Sequence, residues 1–150
     1  MNKKRSDNPA KFFSEKERED IIKAIQMAEE QTSGEIRLHL EKKSKKDIYD
    51  RAVKVFNKIG MHKTAQKNGV LIYLATANRK FVILGDQGIN EVVPENFWAD
   101  VANLMSEFFK KGDFSAGVCK GVTLIGQKLK VLFPYENGDI NELTDDISIK

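Results

Sequence analysis

Two carboxylates, Glu35 and Asp86, and one histidine, His62, are the side chains of this sequence whose types and settings suit chemistry. Glu35 follows Ser33-Gly34 and opens an alternating run, while Asp86 sits in the turn Gly85-Asp86-Gln87-Gly88. With Asn68 and nearby main-chain carbonyls they supply the hard oxygen ligands that calcium and magnesium prefer. Asp113 is a candidate third ligand. His62 precedes Lys63-Thr64, and a histidine titrating near neutrality is suited to general acid work or to phosphate contact. Each residue also has a plainer reading: a solvated strand-end acid, a turn aspartate bonded to its own backbone, a histidine that holds a loop.

Other chemistries are poorly supplied. Two histidines and one cysteine, Cys119, fall short of the four ligands of a structural zinc site of Cys/His type, and a lone cysteine excludes an intrachain disulfide. There is no P-loop and no dinucleotide fingerprint, and Gly85-x-x-Gly88 reads as a turn. Ser115 has no base beside it and reads as a helix cap. Cys119 lies one position from an apolar stripe and reads as a small core residue. His39 falls on the polar face of a strand and reads as structural. Lys42, Lys43, Lys45 and Lys46 make a solvated basic loop, and Asp47 with Asp50 make a helix cap and a first-turn acid.

These residues are carried by a chain of 150 residues, 41% apolar, with 25 basic and 22 acidic side chains and a net charge of +3. That length and composition fit one globular domain. The small, mixed charge gives no reason to expect a nucleic-acid partner. No window approaches the roughly 20 apolar residues of a spanning helix, and Phe12-Phe13 leads into Ser-Glu-Lys-Glu rather than into the apolar core of a signal peptide. The expected address is cytoplasmic.

Spacing predicts the elements that position the candidates. Ser14 and Glu17 form a capping box, followed by Ile21, Ile22, Ile25 and Ala28 at helical spacing, giving a helix over 15–31. Residues 35–41 alternate strictly, as a strand does. Asp47 caps a second helix with Ile48, Ala52, Val55, Phe56 and Ile59 on one face, closed by Gly60. Residues 70–75 form a continuous apolar run suited to a central strand, and residues 81–84 its hairpin partner. A third helix after Pro94 carries Phe97, Trp98, Val101, Met105, Phe108 and Phe109. A fourth, opened by Ser115, carries Val118, Val122, Ile125, Leu129 and Leu132 and stops at Pro134. Residues 1–13 are expected to be a flexible lead-in, and 135–150 a polar acidic tail, partly disordered.

Two strands joined through a helix pair in parallel with a right-handed crossover, and the third returns antiparallel. The apolar stripes need both faces of this small mixed sheet of three to four strands. The expected class is therefore α/β, a three-layer α/β/α sandwich. In this topology Glu35, Asn68-Gly69 and Asp86 lie at one end of the sheet, and Asp47 and Asp50 near the other. The topology permits Asp113 to reach the first end without requiring it.

Several stretches together resemble the TPM domain family, named after a thylakoid-lumen protein, a photosystem II repair factor and a nematode receptor modulator. They are Ser33-Gly34-Glu35-Ile36-Arg37, Gly60-Met61-His62-Lys63-Thr64, residues 68–75, residues 81–89, and Phe109 through Gly117. They span most of residues 14–134 and resemble the solitary, soluble form of the family. The resemblance implies an α/β/α sandwich and a divalent-metal site for calcium or magnesium. It also implies roles in maintaining protein complexes, with an acid phosphatase activity for one plant member. The expected function is a metal-binding interaction or maintenance module, held by Glu35, Asp86 and Asp113. Its expected partner is another protein, and the expected state a monomer. The alternative is a metal-assisted phosphomonoesterase with His62 as proton donor. The residues offer no obvious nucleophile, so the choice between module and enzyme stays open here.

Overall fold

The capping box at Ser14 forms as its residues dictate. The Ser14 hydroxyl accepts from the Glu17 N–H at 3.1 Å, and the Glu17 carboxylate accepts from the Ser14 N–H at 2.9 Å. In the computed structural model, which describes residues 5–44, 47–136 and 146–149, this box opens α2, Glu15–Glu29. A short α1, Pro9–Phe12, precedes it. The remaining elements are β1 (Glu35–Glu41), α3 (Ile48–Lys58), a 3-10 turn (Met61–Lys63), β2 (Gly69–Ala75), β3 (Lys80–Gly85), α4 (Gln87–Asn90), α5 (Ala99–Lys110), α6 (Phe114–Leu132) and β4 (Ser148–Ile149).

The sheet runs β3-β2-β1-β4. β1 pairs in parallel with β2 from Glu35↔Gly69 to Glu41↔Ala75, and β3 returns antiparallel to β2. One face carries Ile36, Leu38, Leu40, Val70, Ile72 and Leu74, all buried under residues of α2, α5 and α6 such as Ile25, Met105 and Val122. The other presents Leu71, Tyr73, Ala75 and Leu84 to Ala52, Val55 and Phe56 of α3. The expected three-layer α/β/α architecture is thus present. Among the described residues no helix is long and apolar enough to cross a membrane.

One departure from the sequence reading involves the N-terminal flank. Residues 5–13 are not a loose lead-in: Phe12 and Phe13 are buried, Phe12 meets Phe114 edge-on, and Arg5 grips Glu17 through two hydrogen bonds of 2.8 and 3.0 Å. An adjacent aromatic pair has enough apolar area to fasten a polar segment. At the other flank, Ile147 is buried and Ser148–Ile149 pairs in parallel with His39–Leu40. That short strand covers part of an edge of β1 that would otherwise expose its backbone groups. The rest of the tail, 137–145, lies outside the described residues.

A buried carboxylate end of the sheet

Glu35, Gly69 and Asp86 stand side by side at one end of the sheet, as the topology requires. Glu35 is in register with Gly69, and the Asp86 N–H donates to the Gly69 carbonyl at 2.9 Å. Alternation puts the Glu35 and Asp86 side chains on the α3 face, on either side of Gly69. Gly69 has no side chain there, and Met61 takes the space. Its Cε and its carbonyl oxygen lie 3.1 and 3.2 Å from where a Cβ on Gly69 would stand.

The turn reading of Asp86 holds for one of its oxygens. Oδ1 accepts from the Gln87 N–H at 2.7 Å and caps α4. Oδ2 is buried and has no hydrogen-bond partner. Glu35 is only 3% exposed. Asn68, also buried, donates its backbone N–H to the Thr64 hydroxyl at 3.3 Å and its side-chain amide to the Ser33 hydroxyl at 3.4 Å. Gly88 docks against the preceding loop, its N–H donating to the Lys67 carbonyl at 2.8 Å. A Cβ at Gly88 would fall 2.3 Å from the Gln66 carbonyl oxygen.

His62 follows Met61 in the 3-10 turn at this end. Its Nδ1 is buried without a hydrogen-bond partner, and its carbonyl accepts from Lys67. Asp113 lies elsewhere. It lines a cleft of about 800 Å³ with Arg5, Phe12, Arg79 and Lys111, and Arg79 belongs to the turn between β2 and β3. The seven residues of β2 separate the two ends by roughly 20 Å. The cause is α5, which runs the length of β3: Trp98 packs on Gly85 and Phe109 packs on Phe81, ring centroids 5.2 Å apart. The link from α5 to α6 therefore emerges at the hairpin end. Two of the cations there are paired, Arg5 with Glu17 and Arg79 with Asp7. Among the described residues, no group of three or more His, Cys, Asp or Glu side chains is placed to hold a metal. Lys42 and Lys43 are exposed, as a solvated loop requires, and Lys45 and Lys46 lie outside the described residues. Burial raises the Cys119 thiol above its ordinary pKa, consistent with a small core residue.

A buried polar network along β1 is absent from the sequence reading. The Glu41 carboxylate accepts from Arg51 Nε and NH2 at 2.8 and 2.7 Å, from the Tyr73 hydroxyl at 2.7 Å, and from His39 Nε2 at 3.2 Å. Burial opposes the charge of Glu41, but these donors outweigh it and hold the carboxyl at about 2. Burial, then the bond to Glu41, raises the Tyr73 hydroxyl. His39 is pushed below its ordinary value, chiefly by burial and against the pull of Glu41. An ionised Glu41 only accepts, so His39 Nε2 carries the proton and Nδ1 accepts from the Ser148 hydroxyl, 2.8 Å away. The available signal was the polar row Glu35, Arg37, His39, Glu41 at period two, with Tyr73 opposite His39 in a parallel pair.

A mixed four-stranded sheet, layered by three helices on one face and one on the other, with acids gathered at one end, defines a small α/β/α domain. The TPM domain matches residues 6–128, and the chain belongs to that family. Among solved structures it is similar to the BA42 protein of the psychrophilic bacterium Bizionia argentinensis, determined by NMR. The two are 45% identical over 93% of this chain and 96% of that one, with a TM-score of 0.88. It also shares its fold with the N-terminal domain of a P. gingivalis protein, at 19% identity over 84% of this chain and 82% of that one, TM-score 0.67. No curated protein matches the chain.

Proposed function

We propose that this domain is a divalent-cation-dependent interaction module whose ion is held at the Glu35–Asp86 end of the sheet and whose partner is another protein. The observation that carries the reading is Asp86 Oδ2, a buried carboxylate oxygen without a hydrogen-bond partner. Such an atom is costly unless a cation or a donor meets it. Glu35 and the Met61 carbonyl both neighbour Gly69, whose carbonyl accepts from the Asp86 N–H. Two carboxylates and a carbonyl fit calcium or magnesium completed by water, rather than a cage made wholly of protein. A cation here would join the Met61–Asn68 loop to the Asp86–Gly88 turn and so fix the surface that the two present. Asp113, at the far end, has no part in it.

The test is an NMR titration of the isotope-labelled domain with calcium, then magnesium. Shifts confined to Glu35, residues 61–69 and 85–88, retained in Asp113→Ala and lost in Asp86→Ala, are the expected result. Unchanged affinity in Asp86→Ala would refute the assignment.

A second reading, a metal-assisted phosphomonoesterase, rests on His62, whose Nδ1 is buried without a partner beside the same end. The chain's own contribution would be His62 protonating the leaving oxygen. Turnover of p-nitrophenyl phosphate should then fall at least a hundredfold in His62→Ala. Turnover indifferent to both His62→Ala and Asp86→Ala would discard this reading.

A further inference from the structure

We infer that the outer edge of β3 is a docking groove for one extended peptide strand of a partner protein, which adds to the sheet antiparallel to β3. Among the described residues β3 ends the sheet, so alternate N–H and C=O groups along its outer side have no strand to meet. Sheet edges are usually blunted by charges, proline or bulges. Residues 81–84, Phe-Val-Ile-Leu, have none of the first two, and their register with β2 runs without interruption. The edge lies at the floor of a cleft of about 610 Å³. Ile48 and Tyr49 of α3 wall it on one face of the sheet, and Trp98 and Ala102 on the other, where Phe81 and Ile83 are half-buried. Tyr49 is 50% exposed at the rim.

The groove is also polar end to end. Lys80 opens β3 and is exposed, while Glu95, on the turn ahead of Trp98, lies toward the Gly85 end. Neither makes an ion pair among the described residues. Between them β3 spans about 17 Å. Antiparallel pairing is slightly the more stable per residue. It brings the N-terminal end of the guest to Glu95 and its C-terminal end to Lys80. The guest that fits is therefore an extended segment with a basic residue first, an acidic residue last, and β-branched or aromatic residues between. Its main chain gives affinity and its alternate side chains specificity, as in other strand-addition complexes. A recessed edge takes a single strand. A second copy would bring its own α3 and α5 against the same walls.

The inference extends the interaction reading above, and its test omits metal, so its failure leaves the cation titration untouched. The probe is an end-blocked heptapeptide with arginine first, glutamate last and alternating valine and threonine between. It is titrated into the labelled full chain beside its charge-reversed isomer and a version N-methylated at alternate amides. The expected result is shifts confined to residues 80–85, Tyr49 and 98–102, about tenfold tighter binding than the reversed isomer, and no binding of the N-methylated peptide. Lys80→Glu with Glu95→Lys should reverse the preference between isomers, and Ala102→Arg should abolish binding while the rest of the spectrum stays native. No shifts at millimolar peptide, or equal binding of the N-methylated version, would overturn the inference. So would a dimer by sedimentation whose formation shifts these same residues without peptide, since the groove would then belong to a second copy.

Discussion

Replacing Glu41 with glutamine removes one charge and leaves the shape of the buried network. The carboxyl is held at about 2 against an ordinary 4.5, a difference equivalent to about 3 kcal/mol of preferential interaction with the charged form. Arg51 is 23% exposed, so solvent weakens its share, and the amide still accepts from Tyr73. About 2 kcal/mol is therefore expected to be lost at pH 7. For a domain of this size that lowers Tm by about 4–8 °C. The sign with pH is fixed: a depressed carboxyl stabilises fully above the unfolded value of 4.5 and ceases to as pH falls through about 2. Urea unfolding followed by Trp98 fluorescence, at pH 7 and pH 3, measures both quantities. The gap between wild type and Glu41→Gln should shrink to less than half at pH 3. A gap under about 0.5 kcal/mol at pH 7, or one that does not change between the two pH values, would refute the argument that these donors set the charge of Glu41.

Ser148→Ala removes the hydroxyl that joins β4 to His39. It should speed amide exchange at Ile149 about fivefold, corresponding to about 1 kcal/mol of local opening. The Trp98 unfolding midpoint should scarcely move, and a large global loss would contradict the view of this bond as a local clasp. Gly88→Ala forces a methyl group onto the Gln66 and Lys67 carbonyls, 2.3 and 2.6 Å away. Backbone on both sides must shift, so about 2–3 kcal/mol should be lost in thermal or urea unfolding. Gly121→Ala meets only the flexible Met105 side chain and should cost less.

The layers were legible because their periodicities are clean. Alternation in residues 35–41 and an unbroken apolar run in 70–75 distinguish a strand with one polar row from a strand covered on both faces, and a helix between them requires the parallel pair. The placing of Glu35 and Asp86 at one end of the sheet followed from that topology alone. The position of Asp113 did not, because local pattern gives the length of α5 but not the direction in which it crosses β3. Packing of Trp98 on Gly85 and Phe109 on Phe81 decides that direction, and these are contacts between distant parts of the chain. The same holds for the Glu41 network. Tyr73 reads as one more apolar residue in its run, and only the register with His39 and the approach of Arg51 turn its hydroxyl into a ligand of a buried charge. The N-terminal flank was misread for a related reason: Phe12 and Phe13 carry no period, and two apolar residues find their place only on a surface made elsewhere.

The strands of this sheet are joined at very different ranges along the chain. β2 and β3 are adjacent, β1 waits on a closure of some thirty residues, and β4 meets His39 across 109 residues. Closure entropy grows with the length of the loop, so the hairpin is expected to nucleate and the sheet to grow from β3 toward β4. The unlatched intermediate then exposes β1 as a second open edge, with His39 unclasped, before Ser148 arrives. Pulse-labelled hydrogen exchange would report this as protection gained last at residues 148–149; protection there as early as in β2 would rule out assembly in that order.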